Sequence, residues 1–402
     1  MRLVVVLCVV LVVVHASHFH VRIREGDVGA LDIQDEHDGV AQMATSEDGR
    51  VRMYEAPSED ALRYRLLRAG LQSRRSDRQV IIAEVQSVQL APVVPEAASG
   101  SWGQDRIDQR ALPLNGDYSP IGTGAGVTAW VVDTGVDASH EDFGGRASND
   151  FAAYSPAEDC DGHGTHVAST LGGEVYGVAK GVRIRAIKVL DCQGTGSTFT
   201  VAQGLEYVLA RLTGRDVINL SLGFGRRDLV IESIVEDLLA AGAAVVASAG
   251  NEDENACSHF PSAYAGVVSV GASTRSDSRA SYSNYGSCVD IFAPGSGIRA
   301  ANLGGGSREL SGTSMSSPHV AGAIAIRSSA SSVLSTATQG VISGANGTPN
   351  RLVYVGANAP QPTTTTSSSS SSSSTSGMTP GNGSPLLSIS IALLVALVTL
   401  LV

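Results

Sequence analysis

The sequence predicts an α/β fold, in which a parallel β-sheet is flanked by helices in three layers and preceded by a small α+β unit. Three observations lead there. Residues 127–133 form a continuous apolar run closed by Asp133, the pattern of a strand buried on both faces. Strand and helix patterns then alternate as far as Ala272, which favours parallel pairing through crossover helices. Glycine is abundant, 45 of 402 residues, so many tight turns and close backbone approaches are expected.

The elements follow in order. Residues 1–16 read as a secretory signal peptide: Arg2 is the charged start, residues 3–14 the apolar stretch and Val14-His15-Ala16 the small-residue cleavage frame. That stretch falls short of the ~20 residues that a membrane span needs. Residues 17–96 are polar and charged, with a helical pattern at 60–71, a strand-like run at 79–83 and a linker at 92–96. Residues 97–358 are rich in Gly, Ala and Val. After the strand at 127–133 they predict a strand at 182–190, a helix at 201–212, a strand at 217–222 and a helix at 229–241 closed by Gly242. Strands at 243–248 and 267–272 complete the series. Residues 359–385 are a Thr/Ser-rich stalk without core-forming residues. Residues 386–402 are an apolar tail with no basic residue after it, the pattern of a GPI-attachment signal, with a retained C-terminal span as the alternative.

Composition excludes some partners. The formal net charge is −11 and no basic block or stripe occurs, so nucleic acid is not an expected partner. Cys8 leaves with the signal. Cys160, Cys192, Cys257 and Cys288 remain, an even set in a secreted chain, which favours two disulfides in one of three pairings.

Three glycine-flanked frames carry the chemistry. Gly312-Thr313-Ser314-Met315-Ser316-Ser317-Pro318-His319 places a hydroxyl at the start of an apolar helix. Asp133 ends a strand, and Asp161-Gly162-His163-Gly164-Thr165-His166 offers an imidazole. A serine hydroxyl needs a base within reach, and the base needs an orienting partner. Ser314 is therefore the expected nucleophile, His163 the base and Asp133 its orienter. Asn251, in Ala249-Gly250-Asn251, and the Ser314 backbone N–H are the expected oxyanion donors. His166 and His319 read as structural, and no His-Glu-x-x-His frame for zinc occurs. Met315, next to the nucleophile, is an expected oxidation-sensitive position.

These frames, with Tyr176-Gly177-Val178-Ala179-Lys180, Asn219-Leu220-Ser221-Leu222-Gly223 and Ser283-Asn284-Tyr285-Gly286, resemble the subtilases, in the proteinase K branch, and are most similar to aqualysin-type enzymes. The resemblance implies a secreted, autoprocessed serine endopeptidase, acting as a monomer on protein or peptide substrates. Its specificity would be broad, with an apolar or aromatic preference before the cut. A catalytically silent binding protein of the same fold is the alternative. Residues 17–96 become an inhibitory, chaperone-like prodomain, and 97–358 the catalytic domain. Gly194, Thr195 and Gly196 on one side and Ser221, Leu222 and Gly223 on the other would pair with an extended substrate. Leu222, Ala249 and Gly250 would line the primary pocket. Glu252-Asp253-Glu254 departs from the family pattern; it reads as a solvated loop, with attraction of basic substrate residues as the second reading.

Structural Ca²⁺ is the implied cofactor. Asp105, Asp108, Gln109, Asn115 and Asp117 supply hard oxygen donors around one turn and resemble an aqualysin-type calcium loop. Asp290, with the backbone carbonyls of Ala265 and Val267, resembles the principal proteinase K calcium site. The resemblance also implies the pairings Cys160 with Cys192 and Cys257 with Cys288. One departure concerns the fold: Arg327-Ser328-Ser329-Ala330 interrupts an apolar helix, so shortened or poorly packed C-terminal helices and a lower thermal stability than aqualysin-type relatives are expected.

Overall fold

The computed structural model describes residues 17–23, 41–45, 50–59, 61–63, 80–90 and 102–357. The expected signal, linker, stalk and apolar tail and most of the helix expected at 60–71 lie outside the described residues.

The first four strands, β1 (Ser17–Ile23), β2 (Ala41–Thr45), β3 (Val51–Ala56) and β4 (Val80–Glu84), pair antiparallel in the order β2-β3-β1-β4. Alternation gives this sheet two faces. Phe19, Val21, Tyr54 and Ile82 pack together with Leu62 on one of them. Met53, Ile81 and Ala83 belong to a second cluster that the sheet shares with the rest of the protein. The chain then leaves the sheet as β5 (Ser87–Gln89).

After α1 (Trp102–Ile107) come β6 (Thr128–Asp133), β7 (Ala147–Ala152), α2 (His163–Gly172), β8 (Arg183–Lys188), β9 (Thr195–Ser197), α3 (Thr198–Leu209) and β10 (Asp216–Leu220). α4 (Leu229–Ala240), β11 (Ala244–Ser248), β12 (Val268–Ser273) and β13 (Ile291–Pro294) follow. The chain ends in the hairpin β14 (Ile298–Ala301) and β15 (Ser307–Leu310), then α5 (Thr313–Arg327), α6 (Ala330–Thr336), β16 (Thr338–Gln339) and β17 (Arg351–Leu352). The main sheet has nine strands in the order β16-β17-β13-β12-β11-β10-β6-β8-β7. The three-layer α/β prediction holds, with one difference at the edge: β16 pairs with β17 antiparallel. The turn between these two short strands leaves no room for the crossover helix that parallel pairing requires.

Period-2 alternation in β6 explains the layers. Ala129 and Val131 pack with Val167 and Leu171 of α2 and with Val320 and Ile324 of α5. Trp130 and Val132 point the other way, into a core with Val201 and Leu205 of α3 and Ile231 and Ile234 of α4. Each valine, leucine or isoleucine among them contributes about 1.5–3 kcal/mol on burial. The chain order reverses direction across the sheet at β6, between β10 and β8, which opens a crevice at the carboxyl ends of these strands.

Helix boundaries move by a few residues for identifiable reasons. α3 starts at Thr198, ahead of the expected 201, because Ser197 and Thr200 form a reciprocal capping box. α4 begins where Asp228 accepts the amides of Val230 and Ile231. The Ser-rich break is an ordered one. Ser328 takes a left-handed conformation (φ +59°) and ends α5, and Ser329 caps α6 by accepting the amide of Ser332. Arg327 Nε donates to the Tyr354 carbonyl at 3.0 Å, and Val333 is fully buried. α5 runs for 15 residues and only α6, with 7, is short, and the break between them is not loosely packed.

Candidate active site

Asp133 ends β6 on the parity of Ala129 and Val131, so its carboxylate faces the layer of α2 and α5. Oδ1 accepts the Thr134 amide at 2.8 Å and meets His163 Nδ1 at 2.8 Å. Both side chains are buried.

His163 is the first residue of α2, and several residues fix it there. Asp161 Oδ1 accepts its amide at 3.0 Å. Asp159 holds the preceding turn, accepting the amides of Asp161 and Gly162 on Oδ1 and both the amide and hydroxyl of Thr165 on Oδ2. Thr134 Oγ1 donates to Asp159 Oδ1 and accepts the Gly164 amide, so the Asp133 and His163 frames are tied directly. Gly164 has no alternative, since a Cβ there would lie 2.1 Å from the Gly135 carbonyl oxygen. Burial works against protonation of His163, but the Asp133 charge and hydrogen bond outweigh it, and the imidazole pKa is raised above 6.5. Nε2, the nitrogen turned away from Asp133, has no hydrogen-bond partner among the described residues.

Ser314 is the second residue of α5. Pro318, four residues on, has no N–H to give to the Ser314 carbonyl. Ser221 Oγ takes that role, donating to Ser314 O at 2.9 Å. Asn219 Nδ2 in turn donates to Ser221 Oγ at 2.9 Å, and Ser317 Oγ donates to Asn219 Oδ1 at 2.7 Å. The Ser314 hydroxyl donates to the Ser221 carbonyl at 3.3 Å. Asp133 and His163 are thus bonded to each other, while Ser314 Oγ is bonded across the cleft to the end of β10.

Asn251 Oδ1 accepts both the amide and the hydroxyl of Thr313, each at 2.8 Å. That fixes the side-chain amide with Nδ2 beside Gly312, where an added Cβ would lie 3.1 Å away. The other two histidines of these frames serve packing. His166 Nε2 bonds the Ile298 carbonyl and His319 Nδ1 the Met315 carbonyl. Burial, with the neighbouring His163 and Arg308 charges, lowers His166 to about 3, and burial lowers His319 to about 4.

Two edges flank the cleft, and the chain itself runs between them. Ser87, Val88 and Gln89 pair antiparallel with Ser197, Gly196 and Thr195. Leu90 N donates to Gly194 O at 3.0 Å, and Gln89 also bridges Gly223 on the opposite edge. Leu222, Gly223 and Gly250 line a cavity beside this strand. Ala249 does not line it, contrary to expectation. At the end of β11 Ser248 and Gly250 face the cavity, and Ala249 packs away from it with Ala256 and Val289.

The cysteines pair Cys160–Cys192 and Cys257–Cys288. The first bond sits one residue after Asp159 and ties the His163 frame to the residues just ahead of β9. Nearby, Lys188 Nζ donates to the Thr134 carbonyl at 2.5 Å.

The expected calcium loop is a closed turn. Asp105 accepts the amides of Asn115 and Gly116, Asp117 accepts the Ser119 hydroxyl, and Gln109 Oε1 accepts the Asn115 amide. Asp108 Oδ2 accepts the Ser119 amide, whereas its Oδ1 is buried without a partner among the described residues. Desolvation, together with the charges of Asp105 and Asp117, raises the Asp108 pKa. A cation would satisfy the orphan oxygen and reverse that repulsion, so this turn fits one. Asp290 Oδ2 accepts the Ser269 amide, and burial raises the pKa of its carboxyl. Among the described residues no three His, Cys, Asp or Glu side chains converge as a metal-binding group. Amide and backbone oxygens would have to complete either sphere.

Thr134, Asp159, Asn219 and Thr313 went unread in the sequence. The spacing of Asp159 before Thr165, at a helix start, is the one signal that could have found any of them.

Comparison with known proteins gives the chain a family. The family model described as the subtilase family matches residues 124–379. The chain is 44% identical over 301 residues to the alkaline serine exoprotease A of Vibrio alginolyticus, an alignment covering 71% of this chain and 56% of that protein. It is 44% identical over 296 residues to the extracellular serine proteinase of Thermus sp. (strain Rt41A), covering 70% and 72% respectively. The crystal structure of a cold adapted subtilisin-like serine proteinase superposes with a TM-score of 0.62 at 43% identity, covering 64% of this chain and 98% of the other. The chain therefore spans little more than half of the Vibrio relative and nearly three quarters of the Thermus one.

Proposed function

The chain belongs to the subtilase family, and on that premise we propose that it is a secreted, autoprocessed serine endopeptidase. The observation that carries the reading is the buried Asp133–His163 pair at 2.8 Å, in the same layer as the helix that carries Ser314 in its first turn. In the proposed reaction Ser314 Oγ turns from the Ser221 carbonyl to His163 Nε2 and gives up its proton there as it attacks the substrate carbonyl. Asp133 holds the imidazole by Nδ1 and stabilises its charged form. The oxyanion accepts from Asn251 Nδ2 and from the Ser314 amide. His163 then protonates the leaving amine, the C–N bond breaks, and an acyl-enzyme remains. Water attacks the ester, passing its proton to Nε2, and Ser314 regains a proton as the acid leaves.

Substrates pair with the Gly194–Gly196 edge and with Ser221–Gly223, and the apolar wall of the primary pocket favours aliphatic or aromatic side chains before the cut. Residues 17–96 act as the intramolecular inhibitor. The run of β5 between the two edges, in peptide-like register, supports this. Calcium, held by Asp108 with Asp105, Asn115, Asp117 and Gln109, and by Asp290 with the Ala265 and Val267 carbonyls, serves as a structural cross-link. Residues 1–16 direct secretion and 386–402 direct GPI attachment; among the described residues no helix is long and apolar enough to cross a membrane.

The test is labelling of the processed protein with a serine-directed fluorophosphonate, with Ser314→Ala as control. Labelling lost in the variant supports the reading. An unlabelled but folded protein would favour a silent binding protein. N-terminal sequencing of the processed form locates the prodomain boundary, and release from membranes by a phosphatidylinositol-specific phospholipase tests the anchor.

A further inference from the structure

The chain carries three Asn-x-Ser/Thr frames, the acceptor signature for N-linked oligosaccharide in secreted proteins. They are Asn219-Leu220-Ser221, Asn346-Gly347-Thr348 and Asn382-Gly383-Ser384. The last lies outside the described residues, and the fold separates the other two.

Asn219 stands inside β10, which pairs with β6 on one side and β11 on the other. Asn219 and Ser221 are both fully buried. Asn219 Nδ2 donates to Ser221 Oγ, and Asn219 Oδ1 accepts the Ser317 hydroxyl. A sugar on Nδ2 would break this network and find no room, so a chain modified there could not reach this fold.

Asn346 lies between β16 and β17. The Thr348 amide donates to the Ala345 carbonyl at 3.0 Å, and Asn346 and Gly347 both take positive φ, +55° and +81°. These are the marks of a type I′ turn, for which Asn-Gly is the favoured pair. The Asn346 side chain is exposed and makes no hydrogen bond among the described residues. Open space surrounds it: a Cβ added at Gly344 or at Gly347 would meet nothing within 4 Å. Thr348 behaves oppositely. It is buried, and its Oγ1 accepts the Gly286 amide at 2.9 Å. The folded protein thus hides the hydroxyl of the frame and presents its amide. The frame is read before the loop docks, and docking then leaves the modified asparagine outside.

We propose that Asn346 is a modification site carrying an N-linked glycan. The inference rests on the secretory reading of residues 1–16 above. Its donor is an oligosaccharide borne on a lipid diphosphate. Asn346 Nδ2 forms a bond to the sugar C1, and the C1–O bond to the diphosphate breaks. The lipid diphosphate leaves with that electron pair, and the amide nitrogen gives up one proton. The glycan stands clear of the cleft, since β17 is four strands from β10 in the main sheet, about 19 Å at the usual strand spacing. It adds hydrated bulk beside β16, the edge strand, where open backbone groups would otherwise template association.

The experiment produces the full chain in a eukaryotic secretory host and treats the secreted protein with a peptide N-glycosidase. That enzyme releases the glycan and leaves aspartate in place of the modified asparagine. A gain in mobility is expected, with aspartate at position 346 and unmodified asparagine at 219 in the peptide map. Asn346→Asp, which tolerates the left-handed turn, should abolish the mobility shift and leave kcat/KM unchanged. Thr348→Ser keeps the frame and the acceptor for Gly286, so its shift should persist. A secreted protein lacking residues 1–16 but with asparagine intact at 346, or one modified only at 219 or 382, would overturn the assignment. Failure of the secretory reading looks different: the protein stays inside the cell with residues 1–16 still attached.

Discussion

Arg22, on the first strand of the N-terminal sheet, meets Glu206 of α3 at 2.5 Å, and both side chains are almost wholly buried. The same guanidinium donates to Ser233 at 2.6 Å and meets Asp237 of α4 at 2.8 Å. One cation on the small sheet therefore bridges the two helices that cover the main sheet. The apolar contacts around it, among Met53, Ile81 and Ala83, are non-directional. The ion pair can fix which way the small sheet sits.

Removing one partner of a buried pair strands the other charge, at a cost of about 3–5 kcal/mol. In the uncleavable Ser314→Ala full chain, Arg22→Met should destabilise the protein against urea by an amount of that order. Glu206→Gln in addition should recover part of the loss, because a buried carboxylate that Arg50 reaches only at 3.9 Å is gone. The double-mutant cycle measures the coupling; additive effects would assign the latch to the apolar contacts instead. In processed enzyme freed of residues 17–96, Glu206→Gln alone should change stability little.

The raised pKa of His163 sets a pH dependence. His163 works as a base only when neutral, so the acid limb of kcat/KM should have its midpoint above 6.5, the ordinary imidazole value. His166 and His319, lowered to about 3 and about 4, stay neutral through that range and leave the limb to His163. The sign for stability follows: the charged pair stabilises fully below the unfolded value and loses its contribution as pH rises through the raised one. Asp133→Asn should remove the upward shift and lower kcat by about 10⁴-fold, a magnitude typical of misoriented triads. An acid limb at or below the ordinary value would contradict this assignment.

Thr313 offers a separable test of oxyanion stabilisation. Its amide and hydroxyl both hold Asn251 Oδ1, and valine removes only the hydroxyl. Losing the donor altogether, in Asn251→Ala, should cost about 100- to 1000-fold in kcat, the range known for loss of the oxyanion asparagine of subtilisin. Thr313→Val should cost roughly a tenth of that factor, because one anchor remains. For both variants kcat should fall with KM little changed, the pattern of an interaction made only in the transition state. A rise in KM without loss of kcat would move Asn251 to ground-state binding.

How much of this was legible in the sequence depends on what each residue touches. Asp133, His163 and Ser314 stood out because glycines frame them. The side of the sheet that Asp133 faces, toward α2 and α5, was not legible, because the run 127–133 is apolar on both faces. Thr313 and Asn219 were not legible, since each acts through a partner far away in the chain, and a hydroxyl carries no local pattern. Ala249 was misread because neighbouring residues at a strand end face opposite ways, and the sequence does not mark where β11 stops. The Ser-rich break read as a packing fault because serine caps and serine interruptions look alike until the left-handed Ser328 is seen.

Asp108 carries the last prediction. Its Oδ1 is buried and has no partner among the described residues, and burial with the nearby charges of Asp105 and Asp117 raises its pKa. An unpaired buried carboxylate oxygen costs stability, and a bound cation converts that cost into a gain. Calcium at about 100 times its Kd would add about 2.7 kcal/mol. A chelator should therefore lower Tm by roughly 5–10 °C in a domain of this size. Asp108→Asn removes the charge and one acceptor oxygen, so its Tm in the absence of calcium should match or exceed that of the unaltered protein. Its response to calcium should shrink to whatever the Asp290 region contributes. Calorimetry with and without calcium on both proteins decides the matter: an equal calcium response would rule out Asp108 as a ligand.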